Sequence, residues 1–324
     1  MVVIIYPDKL SKGVLSSQVF NLKHLYGDDT QFFYFEGLKL VSENVENLPD
    51  QQMIDYFYAR QPLDYFKLRI LYPTKKIIYD FRGLAFSESY LRNKSYLRSV
   101  ALILRDFIIY ITATKIQAVS NNLKAWLQLH FWKRSIKVVP CCINSKQLMK
   151  RQKRSDEKLK FVYSGGSSKY QCIDEVLQIY QLIKSRTDRD CILDIFTNDV
   201  NFFEKKLKNY NISSTKVLSF SQDQIIKELS NYDFGFLIRD DIILNKVASP
   251  VKAMEYCAAG LEPIYTSNVG DYSNIFDYCG LGLNISNKSD NEIIEFFNSY
   301  SQKVDVSDRL YELAKSYTWE KFCE

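Results

Sequence analysis

Lys252 and Glu255, three residues apart in the stretch Ser249-Pro-Val-Lys-Ala-Met-Glu-Tyr-Cys-Ala-Ala-Gly, are the pair whose types and spacing best suit chemistry on an anion and a diol. Ser249 suits a helix cap, Pro250 tolerates the first helical position because its missing N–H loses no bond there, and Gly260 fits a stop. In the helix this predicts, residues three apart share a face, so Lys252 adds a full charge to an amino terminus whose free amides already attract anions. Glu255, about one turn deeper, can accept two hydrogen bonds from vicinal hydroxyls. The pair outlines a site for a diphosphate joined to a ribose. The same spacing also describes an incidental Lys/Glu pair on an exposed helix.

The neighbours add to the outline. Arg239, Asp240 and Asp241 follow the apolar run Phe234–Leu237 and so fall at the carboxyl end of a strand, where open α/β sheets bind ligands; Asn245 and Lys246 then precede the helix. Leu159-Lys-Phe-Val-Tyr-Ser-Gly-Gly-Ser-Ser-Lys leads a strand into Gly165 and Gly166, which let backbone approach a ligand, with Lys169 bringing charge; a tight turn explains the glycines equally well. Asp80-Phe-Arg-Gly follows a strand in the first half. There Asp80 would position a hydroxyl and Arg82 hold a phosphate, or the two form a structural ion pair. Asp188-Arg-Asp190 precedes a strand instead of ending one, so no metal role is assigned to it, and His24 and His130 fall in helical stretches as structural residues.

The elements that must position these residues alternate. Strands are expected at Val2–Tyr6, Gln31–Phe35, Lys76–Tyr79, Ile116–Val119 and Ile136–Val139, with helices at Gln18–Leu25, Gln51–Arg60, a buried helix at Leu97–Tyr110, and one at Asn122–His130 capped by Ser120. A polar, basic linker over 144–158 separates this first domain, 1–143, from a second, 159–324. In the second, strands are expected at Leu159–Tyr163, Cys191–Phe196, Val217–Phe220, Phe234–Leu237 and Pro263–Thr266. The result is an α/β chain of two doubly wound, Rossmann-like halves.

A chain of 324 residues exceeds one hydrophobic core, and 46% apolar with 25% charged residues is ordinary globular usage. Seven cysteines without CxxC pairs read as reduced thiols, and the start at Met1 lacks the basic n-region of a secretory signal, so a cytoplasmic location is expected. Val100–Ala113 is too short and too charged to span a bilayer. Residues 1–155 carry 24 Lys+Arg against 12 Asp+Glu, and 156–324 carry 19 against 26. The first half therefore suits an anionic partner, an anionic membrane surface included, or simply a solubilising basic face. No nucleic-acid module and no GxSxG nucleophile elbow are present.

Taken in order, Asp80-Phe-Arg-Gly, Ala118-Val-Ser, Val138-Val-Pro-Cys-Cys-Ile, Tyr163-Ser-Gly-Gly, and Asp233-Phe-Gly-Phe-Leu-Ile-Arg-Asp-Asp through the Asn245 to Gly260 segment resemble successive landmarks of family 4 of the glycosyltransferases, particularly capsular and surface-polysaccharide members. The resemblance runs over nearly the whole chain. It implies the GT-B fold, two Rossmann-like domains facing across a cleft, with a nucleotide-sugar donor held mainly by the second domain and a saccharide or lipid-linked acceptor. It further implies retention of anomeric configuration and no metal or other cofactor.

On this resemblance Glu255 would bind ribose, and Lys252, Lys246 and Arg239 would surround the diphosphate, with Ser249 and Pro250 at the helix start. The main chain around Phe220 would contact the base, and Gly13 would approach the donor from the first domain. Arg239 and Lys252 would stabilise charge developing on the leaving diphosphate, with no enzyme nucleophile. Two departures stand out: Val247 occupies a position where many members carry a second Glu, and relatives continue beyond the Tyr317-Thr-Trp-Glu segment with a helix that packs back on the first domain. An epimerase or phosphorylase on the same fold, or a scaffold that binds nucleotide without turnover, are the alternatives.

Overall fold

The computed structural model describes residues 1–6, 18–42, 45, 47–149, 158–213, 215–300 and 304–322. Gly13 and most of the expected linker, 150–157, lie outside the described residues. The chain forms two compact units, Met1–Cys141 with Lys246–Ser249, and Cys142–Asn245 with Pro250–Phe322. Residues 142–149 belong to the second unit because Ile143 pairs with Thr318 and the Met149 amide donates to Ala258 O at 3.0 Å.

The first unit holds a seven-stranded sheet in the order β3-β2-β1-β4-β5-β6-β7, with β1 Val2–Ile5, β2 Gln31–Glu36, β3 Lys39–Val41, β4 Tyr56–Ala59, β5 Lys76–Phe81, β6 Lys115–Ala118 and β7 Ile136–Val138. Every pairing is parallel except β2 with β3. Around it run α1 Pro62–Leu71, α2 Ala85–Asn93, α3 Tyr96–Thr112 and α4 Asn121–His130. The strands are short runs of Val, Ile, Phe and Tyr buried between helices, which is why they read as continuous apolar segments.

Three expectations need correction here. Gln51–Arg60 is not a helix: Gln51–Met53 is a 3₁₀ turn capped by Asp50, and Tyr56–Ala59 is a central strand between β1 and β5. A short aromatic run buried on both faces has no period that separates strand from helix. The expected helix at Gln18–Leu25 is broken by a turn at 21–22. Finally, α3 is not buried all round, since only Ser99, Asp106, Ile109 and Tyr110 are fully buried.

The second unit holds an all-parallel six-stranded sheet in the order β10-β9-β8-β11-β12-β13, with β8 Leu159–Ser164, β9 Cys191–Phe196, β10 Val217–Leu218, β11 Phe234–Leu237, β12 Glu262–Tyr265 and β13 Leu283–Asn284. Its helices include α5 Ile173–Arg186, α6 Val200–Asn209, α7 Val251–Ala258, α8 Asp271–Cys279, α9 Asp290–Ser299 and α10 Val304–Ser316. One core, with Met254, Tyr256 and Leu310, lies under α7 and α10; another, with Phe161, Phe234 and Phe297, lies under α5 and α9. Both units are therefore doubly wound α/β domains. In the second, strand order reverses between β8 and β11, and in such sheets the crevice outside the carboxyl ends at that point is where ligands bind.

Candidate functional site

The loops leaving β8 and β11 carry Gly165-Gly166 and Arg239-Asp240, so both flank the reversal point of the second sheet. α7 delivers Lys252 and Glu255 to the same unit, both buried, at 8% and 4% exposure. An incidental pair on an exposed helix would show the opposite. Lys252 Nζ donates to Gln171 Oε1 at 2.7 Å and stands 4.5 Å from the centre of the Tyr163 ring. The Tyr163 hydroxyl lies 2.7 Å from the same Gln171 oxygen and 2.8 Å from Gly166 O, which fixes the glycine loop to the lysine.

Gly165 is required by this closeness. Its φ is +152°, and a Cβ there would come 2.7 Å from Lys252 Nζ and 2.8 Å from Gln171 Oε1. Because those atoms are the ends of flexible side chains, Gly165→Ala is expected to displace Lys252 more than to unfold the domain. Donor KM should rise about tenfold or more, with the thermal midpoint lowered by only a few degrees. Steady-state kinetics beside a melting curve checks this, and an unchanged KM would separate the loop from donor binding.

Glu255 accepts a hydrogen bond from Gln222 Nε2 at 2.7 Å, so the segment after β10 reaches the carboxylate. Phe220 in that segment packs its ring against Phe196 at 4.8 Å. Arg239 donates to Tyr170 O at 3.3 Å and lies 5.4 Å from the Tyr170 ring centre. Next in sequence to Glu255, Tyr256 accepts from the Ser164 amide at 3.0 Å and donates to Phe236 O at 3.3 Å, tying α7 to both β8 and β11. Gly235 makes room for that ring, since a Cβ would meet it at 2.5 Å. Gln171, Gln222 and Tyr163 were not among the residues singled out from sequence.

Burial dominates the electrostatics of the site. Burial, and then the neighbouring Arg239 charge, push the Lys252 ammonium well below the ordinary lysine range, with Glu255 opposing. Burial also lowers Arg239 from its usual value and raises Glu255. Lys252 and Glu255 are held out of water and Arg239 is half-buried where the strand order reverses, with Asp240 and Asp241 next in the same loop.

Other expected residues are placed differently. Lys169 is exposed at the start of a 3₁₀ turn, Lys169–Gln171. Ser249 does not cap α7: Pro250 occupies the cap position with no side-chain bond, and Ser249 Oγ instead accepts from the Cys141 amide at 3.2 Å. Lys246–Ser249 belongs to the first unit, where Ser120 Oγ donates to Val247 O at 2.6 Å and Asn122 Nδ2 to Lys246 O at 2.9 Å. Val247 itself is buried in the first unit's core, which accounts for an apolar residue there.

Asp80, at the end of β5, is 1% exposed. Its Oδ2 accepts from the Tyr58 hydroxyl at 2.5 Å and from Arg60 Nε at 2.9 Å, with Arg82 Nη1 3.6 Å away. Arg82 donates to Val139 O at 3.0 Å and to Cys141 Sγ at 2.8 Å. Arg60 and Arg82 thus both stand within ion-pair distance of Asp80. Two buried atoms in the cluster, Asp80 Oδ1 and Arg60 Nη2, have no hydrogen-bond partner. Among the described residues no group of three His, Cys, Asp or Glu side chains is disposed to hold a metal ion, and Asp190 pairs with Lys158 at 3.4 Å.

No protein-family model and no curated protein matches the sequence. Solved structures do match. WaaG, a glycosyltransferase involved in lipopolysaccharide biosynthesis, is 12% identical over 100% of this chain and 98% of its own, with a TM-score of 0.67. Sucrose-phosphate synthase from Thermosynechococcus elongatus is 11% identical over 99% and 96%, at 0.70. The fold is GT-B. A third GT-B structure, Anabaena HepE in complex with UDP and glucose, is 9% identical over 98% and 95%, also at 0.70.

Proposed function

We propose that the chain is a glycosyltransferase that moves a sugar from a nucleotide-sugar donor to a saccharide or lipid-linked saccharide, in the manner of family 4, with retention and without a metal. The observation that carries this reading is the buried pair Lys252 and Glu255, with the half-buried Arg239, beside the reversal of strand order. Arg239 and Lys252 receive the diphosphate, whose negative charge grows as the sugar bond breaks, so cations already fixed there favour the transition state over the bound ground state. Glu255 accepts from the ribose hydroxyls, and main chain near Phe220 lies along the base. The acceptor hydroxyl attacks on the face from which the nucleotide leaves, so no side chain forms a bond to the sugar. The likeness to GT-B glycosyltransferases supports the reading.

A cytoplasmic place at the inner face of an anionic membrane, in surface polysaccharide synthesis, completes the proposal. Among the described residues no helix is long and apolar enough to cross a membrane. The test is a panel of nucleotide sugars, headed by UDP-glucose, given with and without saccharide and lipid-linked acceptors. Nucleotide release accelerated by one acceptor is the expected result. Interconversion of the sugar without any acceptor would instead show an epimerase. Donor binding with no release under any condition would show a scaffold, the reading that Val247 in place of a glutamate favours.

A further inference from the structure

The outer face of α3 is more apolar than the face it buries. Leu97, Val100, Leu104, Phe107, Ile108 and Ile111 are all exposed and recur at three- and four-residue intervals, so they form a single stripe along the helix. The inner face is Ser99, Asp106, Ile109 and Tyr110, with Leu102 and Ile103 half-buried beside them. Leu97 is 84% and Leu104 57% exposed. Single exposed leucines need no explanation, but a stripe of six large apolar side chains facing water does.

The stripe is extended by its neighbours. α1 is docked to the end of α3 through Tyr65 Oη and Thr112 Oγ1, 2.8 Å apart, and Arg69 Nη2 donating to Thr112 O at 2.6 Å. It presents Leu63 and Ile70, seven residues apart and both largely exposed. Trp132 is 73% exposed; its carbonyl accepts from the Tyr110 hydroxyl at 2.5 Å, and the adjoining Phe131 ring meets Phe107 at 5.6 Å, which sets the indole at the carboxyl end of α3.

Charge decides what covers this face. Residues 60–141, which hold α1 to α4, carry 15 Lys+Arg against 4 Asp+Glu, a net charge of +11, while residues 1–59 carry 4 against 8. Arg98 and Arg105 follow Leu97 and Leu104 along one border of the stripe. A second copy would set one strongly positive face against another. An anionic phospholipid surface offers both a place for apolar side chains and countercharge for the basic border. At 17 residues, with Arg98, Arg105 and Asp106 within it, α3 is suited to lie in the interface plane and not to span.

We propose that the face made by α3, α1 and Trp132 docks the chain on an anionic phospholipid bilayer, the apolar stripe entering below the headgroups and the basic border meeting their phosphates. The proposal rests on the membrane contact in the functional reading and not on its sugar chemistry. It is tested with the full chain and vesicles of phosphatidylglycerol with phosphatidylcholine, compared with phosphatidylcholine alone. The chain is expected to float with the anionic vesicles and to be released by high salt. The double variant Leu104→Glu/Ile108→Glu, at exposed positions, is expected to bind at least about tenfold more weakly.

A second readout uses the wild-type chain alone: tryptophan emission should shift to the blue on adding anionic vesicles, and the shift should vanish in Trp132→Phe, since Trp319 is fully buried and the third indole, Trp126, is packed among Phe86, His130 and Phe131. A chain that stays free of anionic vesicles, or a double variant that binds them as tightly as wild type, overturns the proposal. So does a concentration-dependent dimer that the double variant dissolves. Nucleotide release measured without vesicles reports on the sugar-transfer reading separately, so either can fail while the other stands.

Discussion

Glu255→Ala is expected to weaken donor affinity about 100-fold and Glu255→Gln about tenfold, with neither lowering the thermal midpoint at neutral pH. On the proposed reading the carboxylate accepts two bonds from a ribose, and a hydrogen bond to a charged group contributes about 1.5–3 kcal/mol, roughly tenfold or more in affinity each. Glutamine keeps one acceptor and its contact with Gln222; alanine keeps neither. Stability moves the other way because burial raises the Glu255 carboxyl on folding. A carboxyl raised in this way gives its full contribution below its unfolded value and loses it as pH rises through the folded one, so at neutral pH the group is a burden. Titration calorimetry with the donor and with free nucleoside diphosphate, beside melting curves, checks both halves. Wild-type donor affinity in Glu255→Ala would remove ribose binding from this residue.

That such a site can be foreseen in part from sequence has a local cause. The strands Val2–Ile5, Leu159–Ser164 and Cys191–Phe196 are runs of β-branched and aromatic residues with polar loops between them, and the stretch from Pro250 to Gly260 carries its own start and stop. Helical spacing then suffices to put Lys252 and Glu255 near each other. Their partners have no such signature. Gln171 and Gln222 reach Lys252 and Glu255 across 81 and 33 residues of chain, and only tertiary packing brings them there.

The same limit explains Ser249. Its sequence context is that of a cap, but the four residues Lys246–Ser249 are claimed by the first unit, where Val247 is buried and the Ser249 hydroxyl serves Cys141. A local propensity worth about 1 kcal/mol yields to burial of an apolar side chain worth more. For α3 the hydropathy of the segment was legible and its direction was not. Composition shows how much apolar surface a helix carries, while which side meets the protein depends on the elements beneath it.

The largest effect is expected at Lys252. In Lys252→Met, turnover should fall about 100- to 1,000-fold, the loss of roughly 2.7–4 kcal/mol that follows removal of one fixed group from a developing anion. The melting temperature should hold or rise. Burial and the Arg239 charge depress this ammonium, and a lysine depressed on folding contributes stability only above its unfolded value, losing it as pH falls through the folded one. At neutral pH the buried lysine is thus held at a cost to folding, and methionine fills the same space without it. The depression also predicts the shape of the pH profile. The free enzyme loses the Lys252 proton at a pH below the usual lysine value of about 10.4, so kcat/KM for the donor should fall on the alkaline side with a midpoint below that. A bound diphosphate opposes the depression by supplying negative charge, so donor binding near that midpoint should take up a proton, visible as a dependence of binding heat on buffer ionisation enthalpy. In Lys252→Met both the alkaline limb and the proton uptake should vanish. If they persist unchanged, the titrating group is another, and the diphosphate is not held by this lysine.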